Sequence, residues 1–381
     1  MTFPLPIPEP LRQILKPGTG VLLGISGGVD SAVTLALLKH LGCEVECVTF
    51  KNFCYADGEV DLPEKNCCSL EAIDDARRLA RSYGARHWVG NVEDPFRRDV
   101  IDPFVEAYSQ ALTPNPCLDC NGQVRFPELV RLADRHGCDF AATGHYARIG
   151  ERAGEPCLME GLDPTKDQSY FLHKLSADLL SRVLFPLGWY VKDDVRRAAR
   201  ELGIPAAAKK DSVEICFVPD GDRSFLFADS PATEPGDIVN SEGRVLGRHR
   251  GLIHYTVGQR KGLGVAADRP LYVLRLDLPQ RALVVGYQED LSTSSLEADR
   301  FRALVTDLPP SGTPGLRVRV RHRHAGVPVT GYVLDGERLR VDLGDPVDGA
   351  APGQGLVLYQ DDVVLGGGRI VDADRAEERT L

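Results

Sequence analysis

Gly20-Val21-Leu22-Leu23-Gly24-Ile25-Ser26-Gly27-Gly28-Val29-Asp30-Ser31 is the stretch from which the fold of this chain is read. Its first five residues are apolar or small and predict a buried parallel strand. Beyond the loop, Ala32, Leu35, Ala36 and Leu38 set a helical period that Gly42 ends. Paired glycines at a strand-to-helix turn let the backbone come close to a phosphate. The helix N-terminus behind them offers N–H donors and a positive dipole end to that anion. Ser26 and Ser31 add hydroxyls. A plain tight βα turn capped by Asp30 or Ser31 is the other reading of the same residues. No lysine lies within the loop, so the G-x-x-x-x-G-K-[ST] way of holding β- and γ-phosphates, and with it γ-phosphoryl transfer, fits poorly.

Outward from this loop, strand-like and helix-like runs alternate. Glu44–Thr49, Arg86–Val89 and Phe140–Thr143 are predicted strands. Helices are predicted along Leu70–Ala80, around Val100–Tyr108, over Phe126–His136 and over Lys192–Leu202. That alternation calls for an α/β domain built on a doubly wound parallel sheet, with ligands at the carboxyl ends of its strands. Both the Ser-Gly-Gly turn and Thr143-Gly144-His145-Tyr146 fall at such ends. Lys51–Cys68 is long for a connection and is marked as functional. From Pro235 the texture becomes short β runs, and from about Leu296 a second series suggests a small barrel, a fold used to bind oligonucleotides. Asp335-Gly336 signals a hairpin. The expected segments are 1–213 (nucleotide-binding and catalytic), 214–295 (β-rich) and 296–381 (barrel), with a frayed tail over Ala373–Leu381.

With 381 residues the chain exceeds the size at which single cores stop growing. Its 43% hydrophobic and 26% charged residues suit a soluble globular protein. No run approaches the roughly 18 apolar residues of a membrane span. Met1–Pro10 holds four prolines and no basic stretch, unlike a signal peptide. Ten cysteines without an export signal point to reduced thiols in a cytoplasm. A net charge of −10 argues against nonspecific coating of nucleic acid, though not against a local basic groove.

Two cysteine motifs carry chemistry. Cys117-Leu118-Asp119-Cys120-Asn121 follows Thr113-Pro114-Asn115-Pro116, whose prolines hold an irregular loop. Cys216 lies in Asp211-Ser212-Val213-Glu214-Ile215-Cys216-Phe217, close in sequence to Lys209 and Lys210, cations that would favour a thiolate. Each cysteine alone also fits a small buried hydrophobe. Beside a phosphate-binding loop, such thiols are also candidate nucleophiles.

The Ser26–Ser31 string resembles the pyrophosphate loop of PP-loop ATPases, which split ATP into AMP and pyrophosphate. Together with Thr113–Asn121, Ala142–Ala147, Lys166-Asp167-Gln168-Ser169-Tyr170-Phe171, Ser212–Phe217, Thr256–Gly264 and Pro352-Gly353-Gln354, it is similar to the tRNA-specific 2-thiouridylases, in that family's order. The resemblance implies that Gly24, Ile25, Ser26, Gly27, Gly28, Val29, Asp30, Ser31, Phe50 and Gly144 hold ATP, with Mg2+. It implies that Cys216 carries a persulfide loaded by a sulfur donor protein (a cysteine desulfurase or relay carrier). Cys120 would be the nucleophile that releases the sulfur or forms a disulfide with Cys216. It places tRNA contacts at Asn115, Pro116, Cys117, His145, Lys166, Asp167, Gln168, Arg321, His322 and Gln354. His145, Lys166, Asp167 and Gln168 would lie near a flipped base. His145 also fits a satisfied histidine at a helix start.

Many family members carry Asp where this chain has Cys117, and Cys117, Cys120 and Cys216 make a three-thiol set. A [4Fe–4S] cluster on those thiols, with sulfide delivered from its open iron, is therefore the alternative route. Another AMP-forming ligase and a noncatalytic tRNA-binding protein are the competing functions. Arg317, Arg319, Arg321 and Arg323 alternate with other residues and at strand period would share one face, suited either to RNA or to a solvated edge. Arg248, His249, Arg250, Arg260 and Lys261 form a second basic cluster for phosphate contacts.

Overall fold

The computed structural model describes residues 3–53, 70–208, 215–218, 224–227 and 230–375. Cys54, Cys67 and Cys68 of the long loop, and Lys209–Glu214 before Cys216, lie outside these residues. The chain divides into two compact units. One comprises Met1–Asp99, Cys117–Gly221 and Asp362–Val364; the other comprises Val100–Pro116, Asp222–Asp361 and Leu365–Leu381.

In the first unit the opening stretch forms β1 (Gly20–Gly24) and α2 (Val29–His40), after a short α1 (Glu9–Ile14). β2 (Glu44–Lys51), β3 (Arg86–Asn91), β4 (Phe140–Ala142) and β7 (Val183–Leu184) complete a sheet of order β3-β2-β1-β4-β7. Every pairing in it is parallel. Helices α3 (Leu70–Ser82), α4 (Glu93–Phe96), α6 (Pro116–Asp119), α7 (Phe126–Arg135), α8 (Ala177–Leu180) and α9 (Lys192–Glu201) accompany it; α5 (Asp102–Ser109) belongs to the second unit. Successive β1 side chains point to opposite faces. Val21 and Leu23 join the core cluster with α2 and α9, while a Cβ on Gly24 would meet Leu129 of α7 at 3.6 Å. Helix α2 is buried from Ser31 to Leu38, as expected of a helix that is apolar all round. The strand order reverses between β1 and β4, so the crevice at their carboxyl ends is the topological switch point.

The helix–strand alternation expected as far as Leu202 is interrupted by a hairpin, β5 (Ala147–Arg152) with β6 (Glu155–Glu160). Its two-residue turn puts both Ala153 and Gly154 at positive φ, 52° and 84°. That twist matches the strands, but Ala-Gly carries a weaker signal than Asn-Gly.

In the second unit, β8 (Gly236–Asn240), β9 (Val245–His249), β10 (Tyr272–Asp277) and β11 (Ala282–Gly286) form a sheet of order β10-β11-β8-β9. Six further strands follow: β12 (Ser292–Ala303), β13 (Leu316–Arg319), β14 (Val327–Asp335), β15 (Arg338–Asp348), β16 (Gly355–Gln360) and β17 (Val363–Arg375). They run β12-β15-β14-β13-β16-β17, and β12–β17 pairing closes the barrel. Gly336, at φ 57°, makes the predicted hairpin turn between β14 and β15.

Two expectations here are corrected. The tail is strand as far as Arg375, because Ala373, Asp374 and Arg375 pair with Leu296, Ser295 and Thr293. The four arginines do not share a strand face. β13 ends at Arg319, and only Arg317 and Arg319 lie together, their guanidinium carbons 4.7 and 4.9 Å from the Tyr359 ring centre. Arg319 is buried there, whereas Arg321 and Arg323 are exposed beyond the strand. Stacking on a buried aromatic ring takes this pair out of the proposed RNA surface.

Candidate active site

The loop is shaped by its own residues. Gly27 sits at φ 71°, and a Cβ there would meet the Ala72 carbonyl oxygen at 3.1 Å. Ser31 Oγ donates to the Gly28 carbonyl (3.1 Å) and accepts from Ser26 N–H (3.3 Å), so this hydroxyl is spent on the turn. Ser26 is exposed. Gly28 is the N-cap of α2 and makes no side-chain cap bond, leaving the first-turn N–H groups for an anion. Gly144 lies directly on this turn: a Cβ there would come within 2.9 Å of Asp30 C and 3.0 Å of Ser31 N. Phe50 pairs with Gly90 across β2 and β3, where glycine makes room for its ring.

From the loop, contacts run through the motifs in turn. Tyr146 donates its hydroxyl to Asp30 Oδ1 (2.8 Å), and Lys192 Nζ reaches both Asp30 oxygens at 2.7 Å. Tyr146 N–H donates to Gln168 Oε1 (2.9 Å), and Gln168 N–H returns to the Tyr146 carbonyl (2.7 Å). Asn121 Nδ2 donates to the Phe171 carbonyl (3.1 Å), and Lys174 pairs with Asp119 (2.6 Å). The Cys117–Asn121 segment is thereby fastened to the Lys166–Phe171 segment, which is fastened to the loop.

Cys216 joins through its neighbour. Phe217 is buried edge-to-face on Phe96, with ring centres 5.7 Å apart, and α4, which ends in Phe96, packs against the π-helical segment Cys120–Arg125. Cys120 is buried, Cys117 exposed and Cys216 half-buried. Among the described residues no three His, Cys, Asp or Glu side chains are grouped as a metal site requires. Elsewhere burial raises the thiol pKa of Cys43 to about 11, Cys47 to about 12 and Cys138 to about 11, and raises that of Cys157. All four are buried, which disfavours the thiolate.

His145 is held by Thr143, with Nδ1 2.7 Å from Oγ1, and lies between the rings of Phe126 and Phe185. Burial, with the Arg125 charge adding to it, pushes its pKa down to about 3, so it acts at neutral pH as a neutral hydrogen-bonding group. Several residues expected at the RNA have work inside the fold. Asp167 is buried: Oδ1 accepts from Gly161 N–H (2.8 Å) and Ser169 N–H (3.1 Å), and Oδ2 from Ser169 Oγ (2.9 Å). Lys166 beside it is half-buried.

In the second unit Gln354 Nε2 donates to the Thr113 carbonyl (2.8 Å), and Thr113 N–H to the Pro352 carbonyl (2.8 Å). Gly353, at φ 94°, presses on Thr113, where a Cβ would come within 2.8 Å of its nitrogen. The Pro-Gly-Gln turn thus clasps the loop that carries Asn115 and Pro116. Arg321 donates to the Asp348 carbonyl (2.9 Å), and His322 is half-buried beside it. His249 is buried, Nε2 facing the Arg281 carbonyl (3.0 Å) and Nδ1 accepting from Gly251 N–H (3.1 Å), so it drops out of the basic cluster. Arg248, Arg250, Arg260 and Lys261 stay exposed.

Lys192 was missed from sequence. Its one local signal is a lysine in the first turn of α9, against the helix dipole.

Family models match most of the chain. Residues 19–220 match a tRNA methyl transferase HUP domain, 223–287 a tRNA methyl transferase PRC-barrel domain and 293–370 an aminomethyltransferase beta-barrel domain. A protein of Geobacter metallireducens named tRNA-specific 2-thiouridylase MnmA is 45% identical, over 92% of this chain and 96% of its own. Relatives of the same name from Moorella thermoacetica and Clostridium perfringens are 43% and 40% identical, each over 92% of this chain and 98% of their own.

Proposed function

The chain belongs to the family of tRNA-specific 2-thiouridylases, and from that premise we propose the steps by which it exchanges the C2 oxygen of a tRNA wobble uridine for sulfur, using ATP. It is a tRNA sulfurtransferase of the PP-loop class. The observation that carries the mechanism is the contact chain in the first unit from Ser26–Ser31 through Tyr146 and Gln168 to the Cys120 segment.

Gly24–Ser31, Phe50 and Gly144 bind ATP, its phosphates at the N-terminus of α2. The uridine C2 oxygen attacks the α-phosphorus, the bond to the β-phosphate oxygen breaks, and pyrophosphate leaves. Mg2+ enters with the triphosphate as part of that substrate. Cys216 carries a persulfide loaded by a sulfur donor protein. The Cys120 thiolate attacks the inner sulfur, the S–S bond breaks toward the outer sulfur, and that sulfur adds to C2 as AMP departs. A Cys120–Cys216 disulfide is left, and two electrons from a dithiol reductant reopen it. Neutral His145 hydrogen-bonds the flipped base. Asn115, Pro116 and Cys117 line its pocket, Lys166, Arg321 and His322 contact the RNA, and Gln168 and Gln354 hold the loops that do so.

The three working segments are 1–213, 214–295 and 296–381, with the barrel on the tRNA and the protein acting in the cytoplasm. Among the described residues no helix is long and apolar enough to cross a membrane. The iron–sulfur route is the alternative, and would use Cys117, Cys120 and Cys216 as ligands.

Incubation with ATP, a sulfide source and tRNA bearing a wobble uridine tests the proposal. It should yield 2-thiouridine and equimolar AMP, and Cys120→Ser or Cys216→Ser should lower single-turnover transfer from a persulfide donor at least about 1000-fold. ATP turnover on a small acid without tRNA would point to another ligase. Tight tRNA binding without turnover would point to a noncatalytic protein.

A further inference from the structure

The loop that binds the phosphates holds an acid. Asp30 lies in the first turn of α2, where a full negative charge outweighs the roughly +0.5 charge of a helix N-terminus. Left alone, it would turn the anion site repulsive toward a triphosphate. The fold brings Lys192 to it from α9, 162 positions along the chain. The ammonium sits 2.7 Å from both carboxylate oxygens and 5.4 Å from the Tyr146 ring centre, and the lysine side chain is 6% exposed against 30% for Asp30. Such a pair is weak evidence for stability, since burying an ion pair is often no better than apolar packing. Lysine at that place in α9 also works against the local dipole.

We propose that Lys192 is the counter-charge of the pyrophosphate loop: it cancels Asp30, so that the N-terminus of α2 keeps an attractive field for the phosphates of ATP. It is a positioning residue, acting through Asp30 rather than on the substrate. The loop sequence lacks a lysine, and in this reading tertiary structure supplies the missing positive charge indirectly. The inference rests on the assignment of residues 24–31 to ATP.

The test is equilibrium binding of ATP and of pyrophosphate in EDTA, where no divalent ion can neutralise Asp30, with a parallel titration in Mg2+. Wild type should bind both ligands in EDTA. Lys192→Met should weaken both by about 10- to 100-fold, with a deficit that narrows as salt rises from about 50 to 300 mM and screens the bared carboxylate. Lys192→Arg should stay within about threefold of wild type. The double variant Asp30→Asn/Lys192→Met, neutral again, should bind both ligands at least about fivefold more tightly than Lys192→Met alone. A merely structural lysine would lower the melting temperature but would not give a salt-dependent, charge-rescued affinity.

The inference fails if Lys192→Met binds like wild type. It fails equally if the double variant stays as weak as the single, which would put the ammonium on the phosphate itself. Wild type that binds only with Mg2+ also overturns it. Wild type that binds ATP in neither buffer overturns the functional assignment instead.

Discussion

Between Ser26 and Ser31 the turn is closed by its own residues and walled by Gly144, whereas Cys120 and Cys216 are held by side-chain anchors on other segments. The loop has Gly27 at positive φ, a Ser31 hydroxyl closing the turn and Gly144 packed on its outer side. Cys120 depends on Asn121 reaching Phe171, and Cys216 on Phe217 reaching Phe96. One half is fixed by steric exclusion and the other by a few long-range anchors. The first should therefore tolerate no added atom, while the second should lose precision gradually.

Gly144→Ala gives the largest expected effect. Its Cβ would press on backbone atoms of Asp30 and Ser31 at 2.9 and 3.0 Å, and backbone cannot swing aside as a side chain can. ATP affinity should fall about 100-fold and stability by about 2 kcal/mol. Alkylation of Cys216 should be unchanged. Isothermal titration with ATP and thiol labelling on the same preparation read both halves, and equal loss in the two would erase the distinction between them.

Phe217→Ala probes the other half. It removes a buried ring from Phe96 at a cost of about 3 kcal/mol and releases the turn beside Cys216. ATP binding should hold, thiolation should drop about tenfold, and Cys216 should alkylate faster. If ATP affinity fell as far as thiolation, the anchor would belong to the whole unit rather than to the thiol.

The same division explains what could be read in the sequence. Gly20–Ser31 was legible because its strand, turn and helix follow from side-chain period and glycine alone. The barrel was legible as short strands with turn signals, although its β12 begins at Ser292, before the expected start, since Thr293 and Ser295 look polar yet are buried. What escaped were partnerships with no local period. Lys192 with Asp30, Gln168 with Tyr146 and Asp167 with Gly161 are hydrogen bonds across loops, and a sequence pattern encodes none of them. Arg319 shows the converse. Its strand alternation was real, but Tyr359, 40 positions on, decided that the face was a stack and not an RNA surface.

Gln354→Ala is the smallest effect and the one that separates clasp from contact. Gln354 Nε2 holds the Thr113 carbonyl, and Gly353 and Pro352 hold the same residue, so the loss is one hydrogen bond of about 1 kcal/mol among several. If that bond positions the loop leading to Cys117, kcat should fall about three- to fivefold while the Kd for tRNA is unchanged, because the bond is made within the protein before RNA arrives. A direct RNA contact would show the reverse, a weaker Kd with kcat preserved at saturation. Filter binding and single-turnover thiolation on one variant decide between them. A changed Kd would move Gln354 from the support of the Thr113 loop to the RNA surface.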